Sequence, residues 1–224
     1  MKTRHLVLGL AAGFLGVGVL MVGSYLLAGW FFPSSAKSGI RPAPPPSEVE
    51  APLPPSALTA EAYAFHRNHQ YSNAIASFEA CIKQYPEFSD AYHGLAQSLR
   101  ESGDPAKAVA SHDRAIELDP NRFDLYWERG ATYLRMKDYD HAITNFQACL
   151  ERNGNFATAQ HGLGEAYRGK GDFKEALVHH DAAIAMNPGS AWFLRERGNT
   201  YRKMGDKERA DADLARAKEL DGGK

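Results

Sequence analysis

The chain has 224 residues, with 26 lysines and arginines set against 27 aspartates and glutamates. This near balance excludes a global pull toward nucleic acid or anionic lipid. Mean hydropathy is negative although one segment is intensely apolar, so the remainder is polar, with much exposed surface.

Residues 1–5 form a short tail carrying Lys2 and Arg4, and residues 6–32 then run without a charged side chain. At ~1.5 Å per helical residue this run is long enough to cross a bilayer core of ~30 Å. Trp30, Phe31 and Phe32 at its end suit the interfacial aromatic belt. The small residues Ser34, Ser35 and Ala36 offer a cleavage site, but a secretory signal has an apolar region of about 7–15 residues. The longer run predicts an uncleaved transmembrane signal anchor. No cysteine follows it directly, which excludes a lipoprotein anchor. Lys2 and Arg4 favour a cytoplasmic N-terminus, although Lys37 and Arg41 make the asymmetry slight. The rest of the chain is expected outside the cytoplasm, which in a bacterium means the periplasm. Gly9 and Gly13 fit the ordinary glycine content of a membrane helix better than a dimer face. Residues 33–56 hold seven prolines from Pro42 to Pro55 and read as an extended spacer of ~3.1 Å per residue.

From about residue 55 the chain repeats. In the stretch 157–188, Leu163, Gly164 and Tyr167 share one helical face, Gly171-Asp172 makes a turn, Ala176, His180 and Ala183 lie on a second helix, and Pro188 closes the unit. A shift of 34 residues carries Ala176 onto Ala142, Ala108 and Ala74, and onto Ala210 going forward. The Gly164 position gives Ala62, Ala96, Gly130 and Gly198, and the Ala183 position gives Cys81, Ala115, Cys149 and Ala217, all small. Asp172 recurs as Asp104, Asp138 and Asp206, each placed to cap a helix. Only the first repeat departs, with Gln70. The pattern Leu-Gly-x-x-Tyr, Ala, bulky residue, Ala, Pro resembles the tetratricopeptide repeat, whose period is about 34 residues. The resemblance spans roughly three quarters of the chain. It implies an all-α fold, a right-handed α-solenoid of five helix-turn-helix repeats over residues 57–224, with repeats at about 55–88, 89–122, 123–156, 157–190 and 191–224.

A second register runs at 68 residues. His93-Gly94-Leu95 returns as His161-Gly162-Leu163, and His112-Asp113 as His180-Asp181. Glu128-Arg129-Gly130 returns as Glu196-Arg197-Gly198, and Phe78 as Phe146. Duplication of a two-repeat block explains this, and surface chemistry is expected to alternate along the array.

Several residues have structural readings. His66 and His69 stand three apart without clustered carboxylates or thiols, short of a metal-ligand set, and no metal or cofactor is expected. Cys81 and Cys149 are a whole repeat apart and are expected to be free. His112 and His180 occupy the bulky slot of Phe78 and Phe146 and are read as inward-facing rings rather than pH switches.

The resemblance places the binding groove on the first helix of each repeat. Its lining positions are His93, Gln97 and Arg100 in repeat two, Trp127 and Leu134 in repeat three, His161, Glu165 and Arg168 in repeat four, and Trp192, Arg195, Asn199 and Arg202 in repeat five. Tryptophan and arginine are enriched in binding hot spots, and arginine pairs with carboxylates. The Lys/Asn/Arg clamp with which some members of the family hold a chaperone C-terminus is missing, since Thr59, Tyr63, Gly94, Asp124 and Glu128 stand at those positions.

No catalytic role is expected: there is no phosphate-binding glycine loop, zinc-protease motif or nucleophile elbow. Asp90, Asp124 and Glu165 interrupt the basic stripe, which argues against nucleic acid. The sequence therefore predicts a membrane-anchored scaffold that binds a protein or peptide partner, one with acidic or carboxylate groups, through its concave face. Two alternatives stand beside it: a self-assembling array forming homo-oligomers, and a non-catalytic subunit of an envelope enzyme or assembly complex.

Overall fold

A computed structural model describes residues 53–222; the tail, the apolar run 6–32 and the spacer as far as residue 52 lie outside the described residues. These residues form ten α-helices: α1 (Pro55–Arg67), α2 (Tyr71–Gln84), α3 (Ser89–Ser102), α4 (Pro105–Leu118), α5 (Phe123–Arg135), α6 (Tyr139–Arg152), α7 (Ala157–Lys170), α8 (Phe173–Met186), α9 (Ala191–Met204) and α10 (Lys207–Gly222). They pair into five antiparallel hairpins that stack in chain order. The first helix starts at Pro55, inside the stretch assigned to the spacer, because proline is well placed at the first helical position, where no N–H is needed. Among the described residues no helix is long and apolar enough to cross a membrane.

The odd-numbered helices form one layer. α1 lies against α3, α3 against α5 and α5 against α7, whereas the even-numbered helices do not pack on one another in this way. The odd layer is thus the inner side of the stack. α7 and α9 approach one another less closely along the backbone than their predecessors do and meet through side chains. α9 opens with Trp192-Phe193 in place of Asp90-Ala91, Asp124-Leu125 and Thr158-Ala159, and both rings lie against His161, with centroids 4.2 and 5.7 Å away.

Each hairpin turn is built the same way. The amides of Asp104, Asp138, Asp172 and Asp206 donate to carbonyls five residues back. Their carboxylates accept from the backbone N–H of Lys107, His141, Glu175 and Arg209. The preceding residue is left-handed: Gly103, Gly171 and Gly205 in three turns, but His69 (φ 58°) and Lys137 (φ 61°) in the others. Gln70 makes no cap with its side chain, as its exceptional identity implies.

The core is a column of small residues. Ala74, Ala108, Ala142 and Ala176 are fully buried, and Ala210 nearly so. Cys81 and Cys149 are buried and free, and burial raises both thiol pKa values, to about 11 for Cys149. The bulky slot beside the column holds Phe78, His112, Phe146 and His180 in succession, all sealed from solvent.

The junctions between repeats come in two kinds. Phe78 and Phe146 press on the next repeat at Gly94 and Gly162, where a Cβ would lie 2.2 and 2.7 Å from the ring. The equivalent positions of the other two junctions hold Glu128 and Glu196 opposite His112 and His180. The imidazole of His180 presses instead on Gly164 of its own repeat, where a Cβ would lie 2.6 Å from the ring, and leaves the facing position of the next repeat to a side chain.

Candidate functional site

The inner layer carries the predicted groove residues, but much of its charge is used internally. Arg100 donates to Glu128 at 2.5 Å and to Glu101 at 3.1 Å, and Gln97 donates to the other Glu128 oxygen at 2.8 Å. One block later, Arg168 donates to Glu196 at 3.0 Å and to Glu165 at 2.6 Å. Arg195 donates to Asp221 at 2.5 Å. Arg122 bridges Asp90 and Asp124, two of the three acids of the stripe. Arg100, Arg168 and Arg195 are therefore not standing free for an acidic ligand, as the sequence suggested. Each has a carboxylate from a helix other than its own, which a stripe drawn on a single helix does not reveal. The signal was nevertheless present, because Arg100 and Glu128 both recur at 68 residues as Arg168 and Glu196.

Burial alters the expected surface as well. His93 and His161 are 7% and 6% exposed and rest on His112 and His180, with ring centroids 6.0 and 5.4 Å apart. They support the groove from below and present little of themselves to it. Both ring nitrogens of His112 and His180, and Nδ1 of His93 and His161, have no hydrogen-bond partner. A buried imidazole without a partner is stable only when neutral. Burial holds His161 at about 4, with Glu196 opposing, and His180 at about 3, with charge on His161 and Arg168 adding to the effect. His93 is lowered by burial, and His112 well below the usual range by burial, His93, Arg100 and Arg129. Glu165 moves the other way: burial lifts its carboxyl to about 7, with Arg168 opposing and Glu196 adding.

The remaining predicted residues lie nearer solvent. Trp127 is half-buried against Phe156, and Leu134 is half-buried in the cluster around Phe146. Trp192 is 42% exposed, the one large aromatic ring so open among the described residues. Asn199 and Arg202 line the gap between α7 and α9 with Arg168 and Lys203, a cleft of about 530 Å³. A second hollow of about 620 Å³ adjoins it, sharing Arg168 and Lys203 and reaching Leu134, Arg135, Lys137, Tyr139 and Phe173. Lys137 and Lys203 escaped the sequence argument because they lie at helix ends, outside the stripe.

In repeat one, His66 pairs with Ser98 at 3.0 Å and His69 with Tyr71 at 2.8 Å, so the two rings serve separate partners.

Models of the tetratricopeptide repeat match residues 59–123, 121–189 and 196–223. No curated protein matches the chain in sequence. Among solved structures, residues 41 to the end of MamA from Desulfovibrio magneticus superpose with a TM-score of 0.68 at 19% identity, over 76% of this chain and 96% of that one. A tetratricopeptide repeat protein from Parabacteroides merdae gives 0.68 at 22% identity, covering 75% of this chain and 66% of its own. A thermophilic protein of the same repeat class in Thermus thermophilus gives 0.64 at 17% identity, covering 75% and 91%. At these identities the likeness speaks for the fold alone. With the family models matching nearly every hairpin, and the fold shared, the chain belongs to the tetratricopeptide repeat family.

Proposed function

We propose that the protein is a non-catalytic scaffold that captures a protein partner on its inner helix layer, held at a membrane by residues 6–32 with the repeats outside the cytoplasm. The observation that carries the reading is Trp192. It stands 42% exposed on the inner layer in the first turn of α9, where the equivalent residues of earlier repeats are serine, aspartate or threonine. Leaving a large aromatic ring in water costs burial energy that a partner would recover, and tryptophan is the residue most often found at the centre of interfaces. The uncharged length of residues 6–32 supports the anchor, and the prolines of the spacer support reach.

Photo-crosslinking in intact membranes tests this. A crosslinking residue at position 192 is expected to trap a discrete partner, and one at Val178, exposed on the even layer, is not. Adducts from position 178 alone would move function to the outer layer. Adducts solely with a second copy would favour the self-assembling alternative.

A further inference from the structure

The near-zero net charge of the chain conceals local concentrations of charge. The hollow among α2, α3 and α4 is lined by Glu79, Asp104 and Lys107 among apolar and hydroxyl side chains. The joined hollows of repeats three to five are lined instead by Arg135, Lys137, Arg168, Lys170, Arg202 and Lys203, with Glu165 the sole acid. Part of this basic charge is accounted for locally. Arg168 is held by Glu165 and Glu196, Arg135 by Glu101 and Lys170 by Asp140. Bases in the last turn of a helix also offset its free carbonyls. Lys137, Arg202 and Lys203 remain, with no carboxylate partner among the described residues, in the lining of the two joined hollows.

We propose that this cleft takes an internal acidic segment of a partner polypeptide, whose carboxylates pair with Arg202, Lys203 and Lys137 while intervening apolar side chains rest on Leu134, Tyr139 and Phe173. This rests on the scaffold reading above and specifies its ligand. The hollows of about 530 and 620 Å³ are recesses rather than a flat face, so they suit side chains better than a lipid surface. The basic charge ends at repeat three, where a phosphate backbone would need it to continue. Leu134, Tyr139 and Phe173 stand among the cations of the lining, which matches a segment that carries both acidic and apolar residues.

The test titrates the full solubilised chain with a labelled peptide alternating glutamate and leucine, acetylated and amidated so that it has no terminal charge. Binding that weakens with salt and falls about tenfold or more in Arg202→Glu/Lys203→Glu is expected, since both cations are exposed and reversal leaves the core intact. Arg216→Glu, exposed on α10, is expected to bind as the parent does. No binding of the glutamate peptide, equal binding by the double variant, or preference for the lysine counterpart, for inorganic polyphosphate or for phosphatidylglycerol vesicles would overturn the proposal. Crosslinking from position 192 separates the two readings: adducts that persist in the double variant would leave the scaffold intact and the acidic ligand refuted.

Discussion

The two kinds of junction solve one packing problem in opposite ways. At Phe78–Gly94 and Phe146–Gly162 a phenyl ring fills the slot and the facing residue gives up its Cβ, so the slot is apolar, and the polar contacts His66–Ser98 and Lys170–Asp140 lie outside it. At the junctions of repeats two with three and four with five, the ring is an imidazole. A second imidazole leans on it, and the facing glutamate is tied back to an arginine of the preceding repeat. The phenyl slot is held by burial and contains no titrating group, so its own contribution should be indifferent to pH. The second kind carries charge and unpartnered nitrogen, so its strength depends on protonation.

The largest test is on the apolar kind. Phe146→Ala empties a slot whose occupant is 1% exposed, and urea unfolding is expected to show a loss of about 3–5 kcal/mol with little change between pH 5 and 7 beyond that of the parent. Arg100→Ala attacks the polar kind. It leaves Glu128, 8% exposed, with Gln97 as its remaining partner, and is expected to cost about 3 kcal/mol at neutral pH. If Arg100→Ala were as mild as an exposed change such as Arg202→Ala, the buried pair would be dispensable and the contrast between junctions would weaken.

Acid sharpens the contrast further. Below about pH 6.5 the unfolded chain protonates its imidazoles, while folded His161 and His180 resist down to about 4 and about 3. The unfolded state then binds more protons, so stability falls with pH, by about 2 kcal/mol per imidazole at pH 5. Glu165 opposes this. Its folded carboxyl, at about 7, keeps a proton that the unfolded one releases above about 4.3, so its contribution is full in acid and is lost as pH rises through about 7. Tm is expected to fall from pH 7 to 5, and to fall more steeply in Glu165→Gln. A Tm that stayed flat in both proteins would mean that the imidazoles are already charged in the fold.

The smallest effect is at a turn. Lys137 adopts φ 61°, where three sister turns have glycine. Lys137→Gly is expected to raise stability by about 1 kcal/mol in thermal unfolding, because a left-handed residue with a Cβ carries a cost of that order. No gain would show that neighbouring contacts compensate for the strain.

The turns, the alanine column and the bulky slot were legible in the sequence because each recurs at a fixed period and each is a local requirement. The status of the arginines was not. Arg100 and Arg168 look free on their own helices and are paired only because the next repeat brings Glu128 and Glu196 alongside. The burial of His93 and His161 was hidden for a related reason. Their stripe is exposed on an isolated hairpin and is covered when the neighbouring hairpin packs over it, in repeat four by Trp192 and Phe193. Periodicity reports what each repeat needs, while the space between repeats belongs to no single one.

The alternating junctions also constrain how such an array can change length. Excising residues 89–156 would set Phe78 against Gly162, a pairing the molecule already uses. Excising residues 123–156 alone would set His112 against Gly162, leaving a void and an arginine whose carboxylate has gone with the deleted segment. Losses and gains are therefore tolerable in twos, and the hereditary unit of this solenoid is a pair of hairpins.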